Sequence, residues 1–203
     1  MGARGDSSLD QKGTGRLVNT ELPPTIRRLW ELAGGNPWSP ASDWNAAFDP
    51  VGLLLLAPPR NFGYWCTPIN SVTFAATGGD GVHFGLLSTD GALSEASPVV
   101  MTVPMCDTPN AIVGAGLHEF LALGCRLGYF SLEQLIHQPE RALAELEDGK
   151  ASPEQSKGER KLLARLISEF DLDPWPNPRV RFAELQLQYM PTLRLPEPHE
   201  GAT

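Results

Sequence analysis

A glycine-rich turn between two β-prone segments constrains the fold of this chain more than any other feature of its sequence. Residues 72–75 and 82–87 are rich in β-branched and aromatic side chains, and residues 77–81 are Thr-Gly-Gly-Asp-Gly. Glycine supplies the positive φ angles that tight hairpin turns require. Residues 72–87 are therefore predicted to form an antiparallel β-hairpin.

Further strands are predicted on both sides of this hairpin. Residues 51–57 form an uninterrupted apolar run closed by Pro58 and Pro59, and its length favours a strand buried on both faces over a helix. Residues 98–103 are a second β-prone run, which ends at Pro104. The sheet is therefore predicted to be mainly antiparallel, with four or more strands.

Helical spacing of apolar residues predicts the remaining elements. The predicted segments are 23–33, 117–127, 131–147, 152–170 and 178–190. Ser131 and Ser152 each have a glutamine three residues later, the spacing of a capping box, so helices are predicted to start there. Pro139 is expected to kink or break the third segment. The last segment also fits an alternating strand, and a helix is favoured.

These elements define an α+β chain with a mainly antiparallel sheet of four or more strands, flanked by helices and followed by a helical C-terminal part. Residues 1–19 are polar and glycine-rich and are predicted to be a disordered arm. Residues 20–147 are predicted to be the α+β core domain and 148–190 a helical extension. Residues 191–203 are predicted to be a flexible tail.

Charge and composition exclude several classes of protein. The formal net charge is −8, with 24 acidic against 16 basic side chains, so the field of the chain repels phosphate backbones and nucleic acid is not an expected partner. The three cysteines are too scattered for a disulfide framework or a Cys-x-x-Cys site. The sequence shows no signal-peptide pattern and no apolar run long enough to span a membrane. A cytoplasmic protein is therefore expected.

The sequence completes none of the familiar catalytic or ligand-binding motifs that it partly resembles. His118-Glu119 resembles the start of a zinc-protease motif, but Ala122 stands where the second histidine is needed. Residues 78–81 lack the lysine of a phosphate loop and the Asp-x-Asp spacing of a calcium loop, and a hairpin turn explains their glycines. No catalytic residue, metal ligand or cofactor site is predicted, which favours a binding protein over an enzyme.

One alternative keeps enzymatic chemistry open. Asp80 precedes His83 by three residues, and a thiol such as Cys66 would complete a Cys–His–Asp set for a small cytosolic hydrolase or transferase. The strand pattern places His83 on the face opposite Phe84 and favours a half-exposed sheet residue instead.

The order of these elements resembles the SUKH superfamily, which groups bacterial toxin-immunity proteins with fungal cell-wall-synthesis regulators. The resemblance covers about residues 25–127 and rests on the Gly79-Asp80-Gly81 hairpin, the strand ending near Pro104 and the helix 117–121, Leu-His-Glu-Phe-Leu. It implies a non-enzymatic protein that neutralises a toxin by binding it. A basic toxin would suit the charge of −8.

The hairpin tip and the aromatic-rich segment 60–68 are the expected contact surface for such a protein partner. The candidate contact residues are Tyr64, Trp65, Asp80, His83 and Asp90. The identity of the partner and the oligomeric state stay open at this point.

Overall fold

Five antiparallel strands in sequential order, β1-β2-β3-β4-β5, form the centre of the fold. The computed structural model describes residues 22–34, 46–88, 91–149 and 155–197. The strands are β1 (Leu54–Arg60), β2 (Ser71–Ala76), β3 (His83–Leu87), β4 (Val99–Thr102) and β5 (Asn110–Gly114). The helices are α1 (Pro24–Leu32), α2 (Leu117–Leu127), α3 (Gln134–His137), α4 (Pro139–Asp148), α5 (Lys157–Phe170) and α6 (Pro178–Tyr189). The predicted α+β class is confirmed, whereas the predicted arm 1–19 lies outside the described residues.

The predicted hairpin is β2 paired with β3. Gly78, Asp80 and Gly81 adopt φ angles of 84°, 49° and 73° in the turn, which explains the glycines at this position. The sheet has one strand more than the predicted minimum of four, because residues 110–114 also form a strand. That strand is short, and the sequence pattern did not predict it.

Strand β1 differs from its prediction in length and burial. It continues through Pro58 and Pro59 to Arg60, and its residues alternate irregularly between buried, half-buried and exposed. Proline is tolerated there because β1 is an edge strand, whose outer N–H groups have no ladder partner to lose. The prediction of a strand buried on both faces and closed by proline is therefore wrong.

Helix α2 covers one face of the sheet with an aromatic core. The ring centroids of Phe84 and Phe120 are 4.9 Å apart, and those of Phe120 and Tyr129 are 5.3 Å apart. Gly124 makes room for Tyr129, since a Cβ atom on Gly124 would lie 2.1 Å from the tyrosine ring. Burial of such rings is a major source of the stability of this layer.

The C-terminal helices belong to the same core. Leu163 and Leu166 of α5 and Leu185 of α6 are buried in one cluster with the sheet residues. Segment 178–190 is helical, as predicted, and α6 lies against β5. Residues 191–197, the described part of the segment predicted to be a flexible tail, are hydrogen-bonded to the loop before β2, because Thr192 and Arg194 contact the Asn70 side chain.

The predicted helix start at Ser131 is wrong. Ser131 lies within a 3-10 turn and bonds back to the Leu127 carbonyl, so it does not cap a helix. Helix α5 begins at Lys157, after an N-cap at Ser156 that forms a complete capping box with Glu159. Ser152 lies outside the described residues. The predicted break at Pro139 is confirmed, because α3 ends at His137 and α4 begins at Pro139.

Candidate functional site

Residues 61–70, here called the aromatic loop, connect β1 to β2. The Asn61 amide folds the loop on itself by donating to the carbonyls of Pro68, at 2.8 Å, and Ser71, at 3.0 Å. The side-chain oxygen of Asn61, Oδ1, accepts from the Gly63 backbone amide at 2.8 Å. A loop fastened in this way presents its outer side chains at low entropic cost to binding.

His83 lies beneath the aromatic loop and is 1% exposed, so the expectation of a half-exposed residue is wrong. Its ring centroid is 4.9 Å from that of Phe62 and 5.7 Å from that of Tyr64, and the Tyr64 ring is stacked on it. Burial lowers the pKa of His83, and a hydrogen bond to the Gly81 carbonyl partly offsets this effect. His83 thus supports the aromatic loop from below and is not part of its exposed surface.

The hydrogen bonds of His83 fix its tautomer. Nδ1 lies 2.7 Å from the Gly81 carbonyl oxygen, which can only accept, so Nδ1 carries the proton. Nε2 is then an acceptor, and the Thr67 hydroxyl donates to it at 3.1 Å. This second bond ties the aromatic loop to strand β3.

Two further polar residues on the sheet, Thr102 and Asn110, extend the hydrogen bonds that hold the aromatic loop. Thr102 and Asn110 follow His83 in the register of β3, β4 and β5, so the three side chains share one face. The Thr102 hydroxyl donates to the Asn110 side chain at 2.8 Å, and the Asn110 amide donates to the Cys66 carbonyl at 3.0 Å. Sequence reasoning missed Asn110, because its strand was not predicted.

The outer surface of the loop is apolar and exposed. Tyr64 is 41% and Trp65 62% exposed, and Met105, after β4, is 82% exposed. Gly81 lies between the aromatic loop and the end of β4, since a Cβ atom on it would lie 3.1 Å from the Tyr64 hydroxyl and 3.3 Å from Pro104. Tyr64 and Trp65 are here called the aromatic patch. The structure brings predicted contact residues Tyr64 and Trp65 to this surface.

Of the two aspartates predicted as contact residues, only Asp80 lies within the described residues. Asp80 is exposed at the tip of the hairpin, next to Gly81 and hence at the edge of the aromatic patch. Asp90 lies outside the described residues.

The geometry does not assemble the Cys–His–Asp set around His83. The ring nitrogens of His83 are bonded to a carbonyl and a hydroxyl, while Asp80 is exposed at the turn. Cys66 is fully buried, and burial raises its pKa, which keeps it a neutral thiol. An activated thiolate requires the opposite shift.

A cavity of about 390 Å³ lies between α2 and α6. Its wall includes an ion pair in which Arg181 Nε lies 2.6 Å from one oxygen of Glu119, while Arg181 Nη1 lies 3.1 Å from Glu184. These hydrogen bonds raise the pKa of Arg181, so its charge is fixed and is matched by two carboxylates. The pair joins two helices, which explains it without a ligand.

Among the residues that the structure describes there is neither a metal site nor a membrane-spanning helix. No group of three or more His, Cys, Asp or Glu side chains is placed to hold a metal ion. Within the same residues, no helix combines the length and the apolar character that crossing a membrane demands.

Comparison of the sequence with known proteins adds no further assignment. No protein-family model matches the chain, and a search of the curated proteins finds no match either.

Proposed function

We propose that this chain is a non-enzymatic, SUKH-like cytoplasmic binding protein that neutralises a basic toxin by direct contact through the aromatic patch. The observation that carries the proposal is the exposure of Tyr64 and Trp65 on a loop fastened to the sheet from beneath. Tryptophan and tyrosine are the residues most enriched among those that dominate binding energy at protein interfaces. Exposed apolar side chains that adjoin one another are typical of such surfaces.

The charge of the chain supports a basic partner. The net charge of −8 produces a field that speeds encounter with a positively charged protein. Asp80 places one negative charge beside the patch, at the hairpin tip. In this arrangement the aromatic side chains supply affinity, and the acidic residues supply steering and orientation.

Co-expression with the toxins encoded beside its gene tests the proposal. Wild-type chain is expected to restore growth with one of these toxins and to co-purify with it. Trp65→Ala is expected to weaken the complex by at least about 30-fold, which corresponds to the 2 kcal/mol or more of a dominant interface residue. If every neighbouring toxin stays fully active and none co-purifies, the proposal is wrong.

Leu187→Ala is the matched control for the Trp65 substitution. Leu187 is 83% exposed on α6, outside the aromatic patch, so its removal also deletes an exposed apolar side chain. It is expected to leave binding unchanged. Urea unfolding of both variants should match wild type, because neither side chain is buried. Equal protection against the toxin by Trp65→Ala and by wild type would exclude the patch as the contact surface.

A further inference from the structure

Ile69 and Leu195 form a second exposed apolar surface, at the end of the aromatic loop. Ile69 is 63% and Leu195 52% exposed. The Ile69 backbone amide donates to the Arg194 carbonyl at 2.7 Å, and Leu195 follows at the next peptide bond. The backbones of Ile69 and Leu195 therefore lie side by side, although the two residues are distant in the sequence.

Asn70 holds residues 192–195, here called the C-terminal segment, against the aromatic loop. Its side-chain oxygen accepts from the Arg194 backbone amide at 3.0 Å, and its side-chain nitrogen donates to the Thr192 carbonyl at 3.1 Å. Leu193, between these two residues, packs against the hydrophobic core. A segment that is fixed at three successive residues presents its outer side chains at low entropic cost to binding.

The aromatic patch alone is too small for a stable protein interface. A specific complex buries about 800 Å² on each partner, whereas a tyrosine and a tryptophan contribute about 150–250 Å² each. The remaining area must come from residues around the patch. Residues 66–68 are buried, so the next exposed apolar side chain along the loop is that of Ile69. Four residues span at most about 14 Å, which is within the width of roughly 30 Å of such an interface.

We propose that the contact surface for the basic protein partner extends from the aromatic patch to Ile69 and Leu195, so that the C-terminal segment takes part in binding. This inference rests on the function proposed above and gives the same partner a second apolar anchor. Arg194 and Glu197 are both exposed and together add no net charge. The C-terminal segment therefore contributes apolar contact, while the acidic charge of the whole chain steers the partner.

Hydroxyl-radical footprinting of the full chain, free and in complex with the co-purified toxin, tests this surface. Oxidation of Trp65, Ile69 and Leu195, measured by mass spectrometry, is expected to fall at least about 3-fold in the complex, because a partner excludes water from its contact residues. Leu187 on α6 is expected to react as in the free chain. Protection of Trp65 while Ile69 or Leu195 stays fully reactive would overturn the extension and leave the proposed function standing. If no neighbouring toxin forms a complex, the proposed function and this inference are both wrong.

Leu195→Ser measures the contribution of the second anchor to affinity. It is expected to weaken the complex by at least about 5-fold, because about half of a leucine side chain no longer becomes buried on binding. Leu187→Ser is the matched control, since it removes another exposed leucine and should change affinity by less than about twofold. Equal affinities of the two variants would contradict the proposal.

Asn70→Ala tests the attachment of the C-terminal segment without removing a proposed contact residue. Loss of both side-chain hydrogen bonds is expected to accelerate hydrogen exchange at the Arg194 and Ile69 amides of the free chain. The complex should also weaken, because the loosened segment must be ordered again on binding. Faster exchange in Asn70→Ala with full affinity in both this variant and Leu195→Ser would show that the segment only braces the fold, and would overturn the proposal.

Discussion

A buried histidine fastens the aromatic loop to the sheet, and it does so only in its neutral form. His83 donates from Nδ1 to the Gly81 carbonyl and accepts at Nε2 from the Thr67 hydroxyl. A protonated ring would have a donor at both nitrogens, so the Thr67 hydroxyl could no longer donate to it. It would also place a charge among the rings of Phe62 and Tyr64, in a site closed to water.

The first prediction is a loss of stability at mildly acidic pH that depends on His83. Because the folded state lowers the pKa of His83 from its usual value of 6.5, the unfolded chain takes up this proton first. The stabilising contribution is complete above pH 6.5 and is lost as the pH falls towards the lowered pKa of the folded state. Urea unfolding of wild type and His83→Gln over this range is expected to show the steeper decline for wild type.

His118→Gln serves as the control for the pH experiment. Its imidazole contacts the Asp171 carbonyl at an exposed site, so its removal should leave the acid-dependent loss of stability intact. Parallel declines of wild type and His83→Gln with pH would show that His83 does not stabilise the fold through its neutral form.

The exposed residues of the aromatic loop could be predicted from the sequence better than the residues beneath it. Tyr64 and Trp65 stand in a loop that is dense in aromatics, and a loop is where exposed aromatic side chains are expected. The burial of His83 depends on this loop folding back over β3, and the role of Asn110 depends on a strand of five residues. Both are tertiary effects, which local patterns do not encode.

The two edges of the sheet are protected in different ways. At the β1 edge, Pro58 and Pro59 remove N–H groups that another strand could bind. At the β5 edge, the side chain of Gln186 on α6 substitutes for a neighbouring strand. Its oxygen accepts from the Ile112 amide and its nitrogen donates to the Ile112 carbonyl, both at 2.8 Å.

The second prediction concerns this substitute for a strand. Gln186→Ala is expected to lower the free energy of unfolding by about 1–3 kcal/mol, because both polar backbone groups of Ile112 lose their partner. Urea unfolding measures the loss, and hydrogen exchange at the Ile112 amide should accelerate. Gln186→Glu should also destabilise the chain, since a carboxylate cannot donate to the Ile112 carbonyl.

Gln188→Ala is the matched control on the same helix. Gln188 is exposed, and replacing it by alanine removes a glutamine of the same propensity and size. It is expected to change stability by less than about 0.5 kcal/mol. Equal effects of the two alanine substitutions would show that the Ile112 bonds contribute nothing beyond helix propensity.

Helix starts show where local sequence reasoning fails at the scale of elements. Ser131 and Ser156 both have the capping-box spacing, but only Ser156 has an extended backbone and accepts from an amide three residues on. Ser131 follows Tyr129, whose ring is locked into the core, and the chain there keeps helical dihedrals. A hydroxyl in such a turn bonds backwards to Leu127 instead, so packing overrides the motif.

At the scale of the whole molecule, arginine–glutamate ion pairs join the helices, and the net charge is negative. Arg28 of α1 pairs with Glu169 of α5, and Arg179 of α6 pairs with Glu140 and Glu147 of α4. Such half-exposed pairs contribute little stability each. Each pair neutralises an acidic group along with the basic one, so the net charge of −8 is carried by the acidic groups in excess of the basic ones.

The third prediction separates this charge from the aromatic patch in the proposed complex. Association with a basic partner should slow by at least about 10-fold as salt rises from about 0.02 to 0.5 M, because the screening length falls from about 20 Å to about 4 Å. Dissociation should change little with salt but should accelerate in Trp65→Ala, since a central anchor acts mainly on the lifetime of the complex. Stopped-flow association and dissociation with the co-purified toxin measure both rates.

Asp80→Asn should slow association modestly without shortening the lifetime of the complex, as a charge at the rim does. An association rate that does not vary with salt would mean that the field of the acidic chain plays no part in finding its partner, and the partner would then have to be sought among neutral proteins.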